Sequence, residues 1–292
     1  MRVMEPALRP APVVHPRMSR EDIDRQFESK FKNPRIEELS FNQIEVLCLK
    51  NLYNESEVVH TFFTDQNRYA NAYPRDKHRA TLADGSYLNV SPIYLGEKTY
   101  YVGQAPTHYS LYHFVQFLLE PLPEKPKGIQ TIVTLTMPRE SNRETCYNYW
   151  HDCASIRVIK EEVIFTQGIT RVVFRLLAIW KDGKKAKEVN QVCVEHWPDG
   201  SIISIECLLA VINLVSKLKG GKFIHCSAGL GRSGVFLIAY HAFKYLQYDN
   251  INENILRCRI QRKFMVQRTE QHRYLTVDVR KLISNLKRDT AC

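Results

Sequence analysis

Between residues 222 and 246 the chain carries a pattern that calls for a strand, a tight loop and a helix in succession. Lys222-Phe223-Ile224 reads as a short buried strand. Val235, Phe236, Ile238, Ala239, Ala242, Phe243 and Leu246 recur at helical spacing. Between them runs His225-Cys226-Ser227-Ala228-Gly229-Leu230-Gly231-Arg232-Ser233-Gly234, with a cysteine at the entrance and an arginine where the helix opens. A helix N-terminus leaves backbone N–H groups without partners, and its dipole favours negative charge. Small residues let successive N–H groups converge into an anion-binding nest, here from Ser227, Ala228, Gly229, Leu230 and Gly231. Such a nest suits a phosphate dianion and stabilises a thiolate, so Cys226 is expected to have a lowered pKa and to be nucleophilic. Arg232 adds a planar fork for two phosphoryl oxygens. Ser233 can donate a hydrogen bond to the thiolate when it leaves. Singly, a buried cysteine is a small core residue and a glycine-rich turn is a turn. Together on a strand–loop–helix they point to phosphate chemistry.

The 292 residues permit one large domain or two small ones, and 44% hydrophobic content is ample for a core. No apolar run approaches the roughly 20 residues that cross a bilayer, and no secretory leader opens the chain, so membrane insertion is not expected. The eight cysteines are scattered without zinc spacing. A reducing, cytoplasmic compartment fits a thiolate nucleophile. The net charge of +10 admits nucleic acid, anionic membranes or acidic substrates as partners. No nucleic-acid recognition motif accompanies it, so attraction of acidic phosphopeptides is the simpler account. Part of the excess lies at 181–187, read as a solvated hairpin turn, and part between Arg257 and Arg273.

Residues 1–20 carry Pro6, Pro10, Pro12 and Pro16 among arginines and read as a disordered extension. Helices are expected between Arg20 and Leu52, at 110–119, along Ile205, Leu208, Leu209, Ile212 and Val215, and along Leu275, Val279, Leu282 and Leu286. Strands are expected within 83–105 and from Ile129 to Leu135, with a hairpin of Val172–Trp180 and Gln191–Trp197. There is no internal repeat. This mixture predicts one α+β domain over 21–288 with a central mixed sheet.

The 225–234 run resembles the signature loop of the cysteine-dependent protein tyrosine phosphatases. Asn67-Arg68-Tyr69 with Pro74, Asp76 and Arg79 is similar to that family's phosphotyrosine-recognition loop. Tyr87-Leu88-Asn89-Val90-Ser91, Gln104-Ala105-Pro106, His113-Phe114, and Cys146 with Tyr149-Trp150 resemble further family motifs. Trp197-Pro198-Asp199 resembles the mobile acid loop, and Gln267 through Gln271 the late glutamine loop. The matches span about residues 60 to 280 in the family's order. The compact form and some wording resemble single-domain members from protozoa such as trypanosomatids. The resemblance implies a highly twisted mixed β-sheet flanked by helices, no metal or other cofactor, and phosphotyrosine proteins as partners.

It also implies roles. Asp199 would protonate the tyrosine leaving group, although Pro198-Asp199-Gly200 read alone is an ordinary turn. Gly200-Ser201 stand where the family has a bulky residue and then glycine, which bears on loop closure. Tyr69 would line a deep cleft that excludes phosphoserine, and Asn71 stands where an acidic residue usually grips the peptide. Gln267 and Gln271 would orient the hydrolytic water. Glu140 would hold Arg232, and Trp197 would support the acid loop. His225 would support Cys226 rather than act as a base. Arg259 and Arg262 read either as braces, as contacts for an acidic flank, or as a solvated helix face. The rivals are a dual-specificity or phosphoinositide phosphatase, against which the Tyr69 loop argues, and a non-catalytic phosphotyrosine-binding or scaffold module. The latter would not need Cys226, Arg232 and Asp199 together.

Overall fold

The computed structural model describes residues 17–32, 35–53, 65–122 and 127–289 of the protein. The proline-rich opening segment thus lies outside the described residues, apart from 17–20. In chain order the elements are α1 (Arg20–Lys30), α2 (Phe41–Asn51), β1 (Val90–Leu95), β2 (Lys98–Gly103), α3 (Leu111–Leu119), β3 (Ile129–Thr134), β4 (Arg139–Glu140), β5 (Arg143–Glu144) and α4 (Tyr149–Asp152). There follow β6 (Ile156–Gln167), β7 (Thr170–Lys181), β8 (Lys184–Glu195), α5 (Ile205–Lys217), β9 (Gly221–His225), α6 (Gly231–Tyr245), α7 (Ile251–Gln261), α8 (Thr269–Arg273), a π-helical stretch (Tyr274–Val279) and α9 (Arg280–Asp289).

Seven strands form one mixed sheet in the order β1-β2-β9-β3-β8-β7-β6. β2, β9, β3 and β8 run parallel, while β1 and the β6–β7–β8 meander are antiparallel. Strand alternation sends neighbours to opposite faces. On β9, Phe223 joins a core with α3 and α4, whereas Ile224 joins the larger core with α5, α6 and α7. The sheet is therefore covered on both sides, as its parallel centre requires. Ser19 with Asp22 and Ser40 with Gln43 form capping boxes that start α1 and α2. Ser204 caps α5 through the Cys207 N–H.

The structure departs from the sequence expectations in three places. The hairpin turn is only Asp182-Gly183, and the lysines at 184, 185 and 187 belong to β8 rather than to a loop. β6 had no expected counterpart. It is a charged edge strand whose alternation is broken by bulges between Val158 and Lys160 and between Val163 and Phe165. α6 is buried on every side from Gly231 to Ala242, so it has no polar face. Among the described residues, no helix is long and apolar enough to cross a membrane.

Candidate active site

The 226–230 loop leaves the carboxyl end of β9, between two parallel neighbours, where open sheets leave room for a ligand. Its carbonyl groups are all held from behind. Ala105 N–H donates to Ser227 O (2.9 Å), and both Gly234 N–H (3.0 Å) and Val266 N–H (3.2 Å) donate to Leu230 O. Arg262 donates to Ala228 O and to Gly229 O, each at 2.9 Å. With the carbonyls turned away, the amides of the same peptides face the opposite side. α6 has no side-chain cap, so its N-terminal N–H groups also remain for a ligand. Gly229 sits at φ +72°, and a Cβ there would lie 2.0 Å from Gly103 O. A Cβ on Gly231 would meet Gln267 Oε1 at 3.0 Å and Gln271 Nε2 at 3.1 Å. Only glycine suits position 229, while a side chain at 231 would press on the two glutamines.

Arg262 and Arg259 are fully buried, which removes the solvated-face reading for both and the acidic-flank reading with it. Arg262 braces the loop, and its other partners are Asn89 Oδ1 (2.8 Å) and Ser91 Oγ (3.3 Å). With neutral partners, burial pushes its guanidinium down to about 10. Arg259 instead holds Met265 O (2.9 Å), Val266 O (2.6 Å) and Glu45 (2.5 Å).

Cys226 is 2% exposed, and Gly229 N–H donates to its Sγ at 3.3 Å. His225 is fully buried. Its Nδ1 lies 3.2 Å from Cys226 O, and its Nε2 lies 3.0 Å from Thr134 Oγ1 and 3.1 Å from Tyr149 OH. Burial pushes this imidazole down to about 4, so it is neutral at physiological pH and fixed as a support.

Arg232 Nη1 donates to Glu140 Oε1 and to Trp197 O, both at 2.6 Å, and Nη2 lies 3.3 Å from Asp199 Oδ1. Burial alone would lower this guanidinium, but Cys226, Glu140 and Asp199 outweigh it and hold it raised. Arg232 Nε and Nη2 and Ser233 Oγ are buried without a hydrogen-bond partner among the described residues. Ser233 therefore makes no bond to the thiol in this state. A buried donor without a partner is costly, so Arg232 Nε and Ser233 Oγ call for an acceptor from outside.

Trp197 is buried, and its indole N–H donates to Ser201 O at 3.1 Å. Ser201 in turn bonds Pro198 O through its hydroxyl (2.7 Å), closing a tight turn on which Asp199 projects, 73% exposed. Gly200 lies at φ +74°, which suits glycine directly after the acid. Tyr69 OH lies 2.8 Å from Ser227 Oγ. Gln271 is buried. Its Oε1 accepts from Gln267 N–H (2.9 Å), while the Gln267 side chain is exposed at the cavity. A cavity of about 400 Å³ gathers Cys226, Asp199, Tyr69, Asn71, Gln267 and Ser227. Ala228 and Leu230 also line it, whereas Arg232, Ser233 and Gln271 are buried and are not part of its lining.

Two contributions went unread in the sequence. Arg143 lines this cavity from the β4–β5 hairpin. The tip of the β6–β7 hairpin holds both ends of the acid loop: Thr170 Oγ1 donates to His196 O (3.3 Å), and Ser204 donates to Gln167. No motif signalled either: Arg143 sits on a two-residue strand, and β6 was not legible in the sequence.

A sequence profile described as Protein-tyrosine phosphatase matches residues 63–279. Tyrosine-protein phosphatase non-receptor type 20 of Mus musculus is 28% identical over 269 residues, covering 84% of this chain and 60% of the relative. Tyrosine-protein phosphatase 2 of Schizosaccharomyces pombe is 30% identical over 243 residues, covering 74% of this chain and 33% of the relative. The chain therefore spans less than two thirds of either relative's length. The solved catalytic domain of human protein tyrosine phosphatase non-receptor type 18 superposes with a TM-score of 0.73 at 23% identity, covering 88% of this chain and 99% of that one. A structure of PTPN18 with HER2-pY1196 phosphopeptides superposes with a TM-score of 0.73 at 21% identity, covering 89% and 98%. These two likenesses show the mixed sheet flanked by helices in one domain. The relatives named here are mammalian and fungal, so the protozoan resemblance remains an expectation. The match over most of its length shows that the chain belongs to the protein-tyrosine phosphatase family.

Proposed function

We propose that the protein hydrolyses phosphotyrosine in other proteins through a phosphocysteine. The Cys226 thiolate attacks phosphorus while the P–O bond to the tyrosine breaks, and Asp199 gives its proton to the departing oxygen. Arg232 and the loop amides hold the phosphoryl oxygens as charge develops. Water then attacks phosphorus, Asp199 takes a proton from it, and the P–S bond breaks to return the thiolate and release phosphate. Gln267 and Gln271 position that water, and Ser233 donates to the departing sulfur. Tyr69 and Asn71 hold the substrate's ring and main chain.

The observation that carries this reading is that Arg232 Nε and Ser233 Oγ are buried donors without a hydrogen-bond partner among the described residues, directly after the loop of Cys226, while Cys226 and Asp199 line one cavity. Solved PTPN18 complexes with phosphotyrosine peptides support the substrate class. A reducing, cytoplasmic setting, a signalling role and acidic substrate flanks fit the thiol chemistry and the net charge of +10. Residues 21–288 would be the catalytic unit. Matched phosphotyrosine and phosphoserine peptides test the reading. A strong preference for phosphotyrosine that falls in Tyr69→Ala supports it. Comparable kcat/KM on both peptides moves the protein to the dual-specificity class.

A further inference from the structure

A second cavity, of about 850 Å³, opens beside the catalytic one. Tyr69, Arg143 and Asp199 line both, so the two are continuous. The second cavity holds three carboxylates, and each has a cationic partner. Glu140 and Asp199 face Arg232 at 2.6 and 3.3 Å, and Glu144 faces Arg68 at 3.1 Å. Arg139 and Arg143 also line it, and both are exposed. Among the described residues, neither has an ion pair or a side-chain hydrogen bond. Their backbones are fixed, because Arg139 pairs with Glu144 and Glu140 with Arg143 across the β4–β5 ladder. Two unpaired guanidinium forks on a short hairpin, opening into the catalytic cavity, suit an anion carried a few residues from the reacting tyrosine.

We infer that the second cavity is an anion subsite, in which Arg139 and Arg143 receive an acidic side chain flanking the phosphotyrosine. This rests on the phosphatase reading above. The ligand chemistry is an anionic oxygen group, from a glutamate or aspartate or from a second phosphorylated residue.

The test compares kcat/KM within each protein for three sets of phosphotyrosine peptides. One set has neutral flanks, one carries a single glutamate scanned through the flanking positions, and one carries phosphoserine at the same positions. In the unaltered protein at low salt, at least one glutamate position should raise kcat/KM roughly two- to fivefold over neutral, as partly exposed ion pairs do, and added salt should shrink the gain. A gain only with phosphoserine would make the second phosphate the ligand. Arg139→Gln with Arg143→Gln should bring the ratio of acidic to neutral peptide close to one. Arg143→Glu should favour a lysine-bearing peptide instead. Arg157→Gln removes a charge on β6, outside the cavity, and should keep the ratio, which separates a local subsite from the general attraction of a basic protein. A ratio near one in the unaltered protein for both the glutamate and the phosphoserine peptides, or a ratio that survives the double substitution, overturns the subsite while leaving the phosphatase reading intact. Failure to hydrolyse any phosphotyrosine peptide removes the phosphatase reading, and the subsite falls with it.

Discussion

Arg232 Nη2 lies 3.3 Å from Asp199 Oδ1, so the side chain assigned to grip the phosphoryl group and the one assigned to protonate the leaving group already face each other. Asp199 is 73% exposed there, so solvent screens the pair and a phosphoryl oxygen can displace the carboxylate. The contact keeps the acid beside the site before substrate arrives.

Asp199→Ala should therefore slow phosphotyrosine hydrolysis by on the order of 10²–10⁴-fold. An aryl phosphate whose phenol is far more acidic than tyrosine should lose much less, because that phenoxide departs unaided. Rate plotted against leaving-group pKa should be steeper in the variant. Equal slopes would mean that Trp197-Pro198-Asp199 is only a turn and that the proton comes from elsewhere.

Glu140→Gln removes the charge from the carboxylate that holds Arg232 at 2.6 Å while keeping an acceptor. A charge-assisted hydrogen bond contributes about 1.5–3 kcal/mol, so Glu140→Ala should lower kcat/KM by roughly ten- to a hundredfold and Glu140→Gln by less. Thr136, which donates to the same oxygen at 2.7 Å, should show a smaller loss on change to Val. Full activity in Glu140→Ala would show that Arg232 orients without it.

Acid should destabilise the fold before it protonates most carboxylates. Burial pushes His225, His241 and His272 down from 6.5 to about 4, and His78 to about 3. Between pH 6.5 and 4 the unfolded chain therefore binds more protons than the folded one. Stability is full above pH 6.5 and falls as pH drops through this window. Denaturant midpoints measured from pH 7.5 to 4.5 should decline, and His241→Gln should flatten the decline. An unchanged midpoint across that range would contradict the burial of these rings as neutral groups.

Oxidation should be selective. Burial raises the thiols of Cys48, Cys146, Cys153 and Cys258, and pushes Cys207 to about 11 and Cys193 to about 12. None of these six is a thiolate near neutral pH. Mild peroxide should modify Cys226 first, reversibly by added thiol, and vanadate should protect it. Mass spectrometry that finds another cysteine modified first in inactive protein would refute this.

The site was legible in the sequence where a residue's chemistry is tied to a short local pattern. Cys226, Gly229 and Arg232 belong to one strand–loop–helix, and the helical spacing after Val235 is unbroken. Arg262 was ambiguous because its partners, Ala228 O and Gly229 O, lie far away in the chain, and a charged residue on a helix ordinarily faces water. β6 was illegible for a different reason. Its charges and its two bulges erase the alternation that marks a strand, and its pairing partner alone makes it one. With β6 unread, the hold of Thr170 and Gln167 on the acid loop had no sequence signal. Arg139 and Arg143 carried no sequence signal, because only the folded protein shows that the carboxylates near them are already paired.

The central claim is that phosphate passes through Cys226. Rapid acid quench of the enzyme with an excess of phosphotyrosine peptide carrying labelled phosphate, followed by digestion and mass spectrometry, tests it most directly. The account predicts labelled phosphate on the peptide containing Cys226, at up to one per protein, and no label and no turnover in Cys226→Ser. Label on another residue, or turnover in Cys226→Ser within tenfold of the unaltered protein, would contradict it.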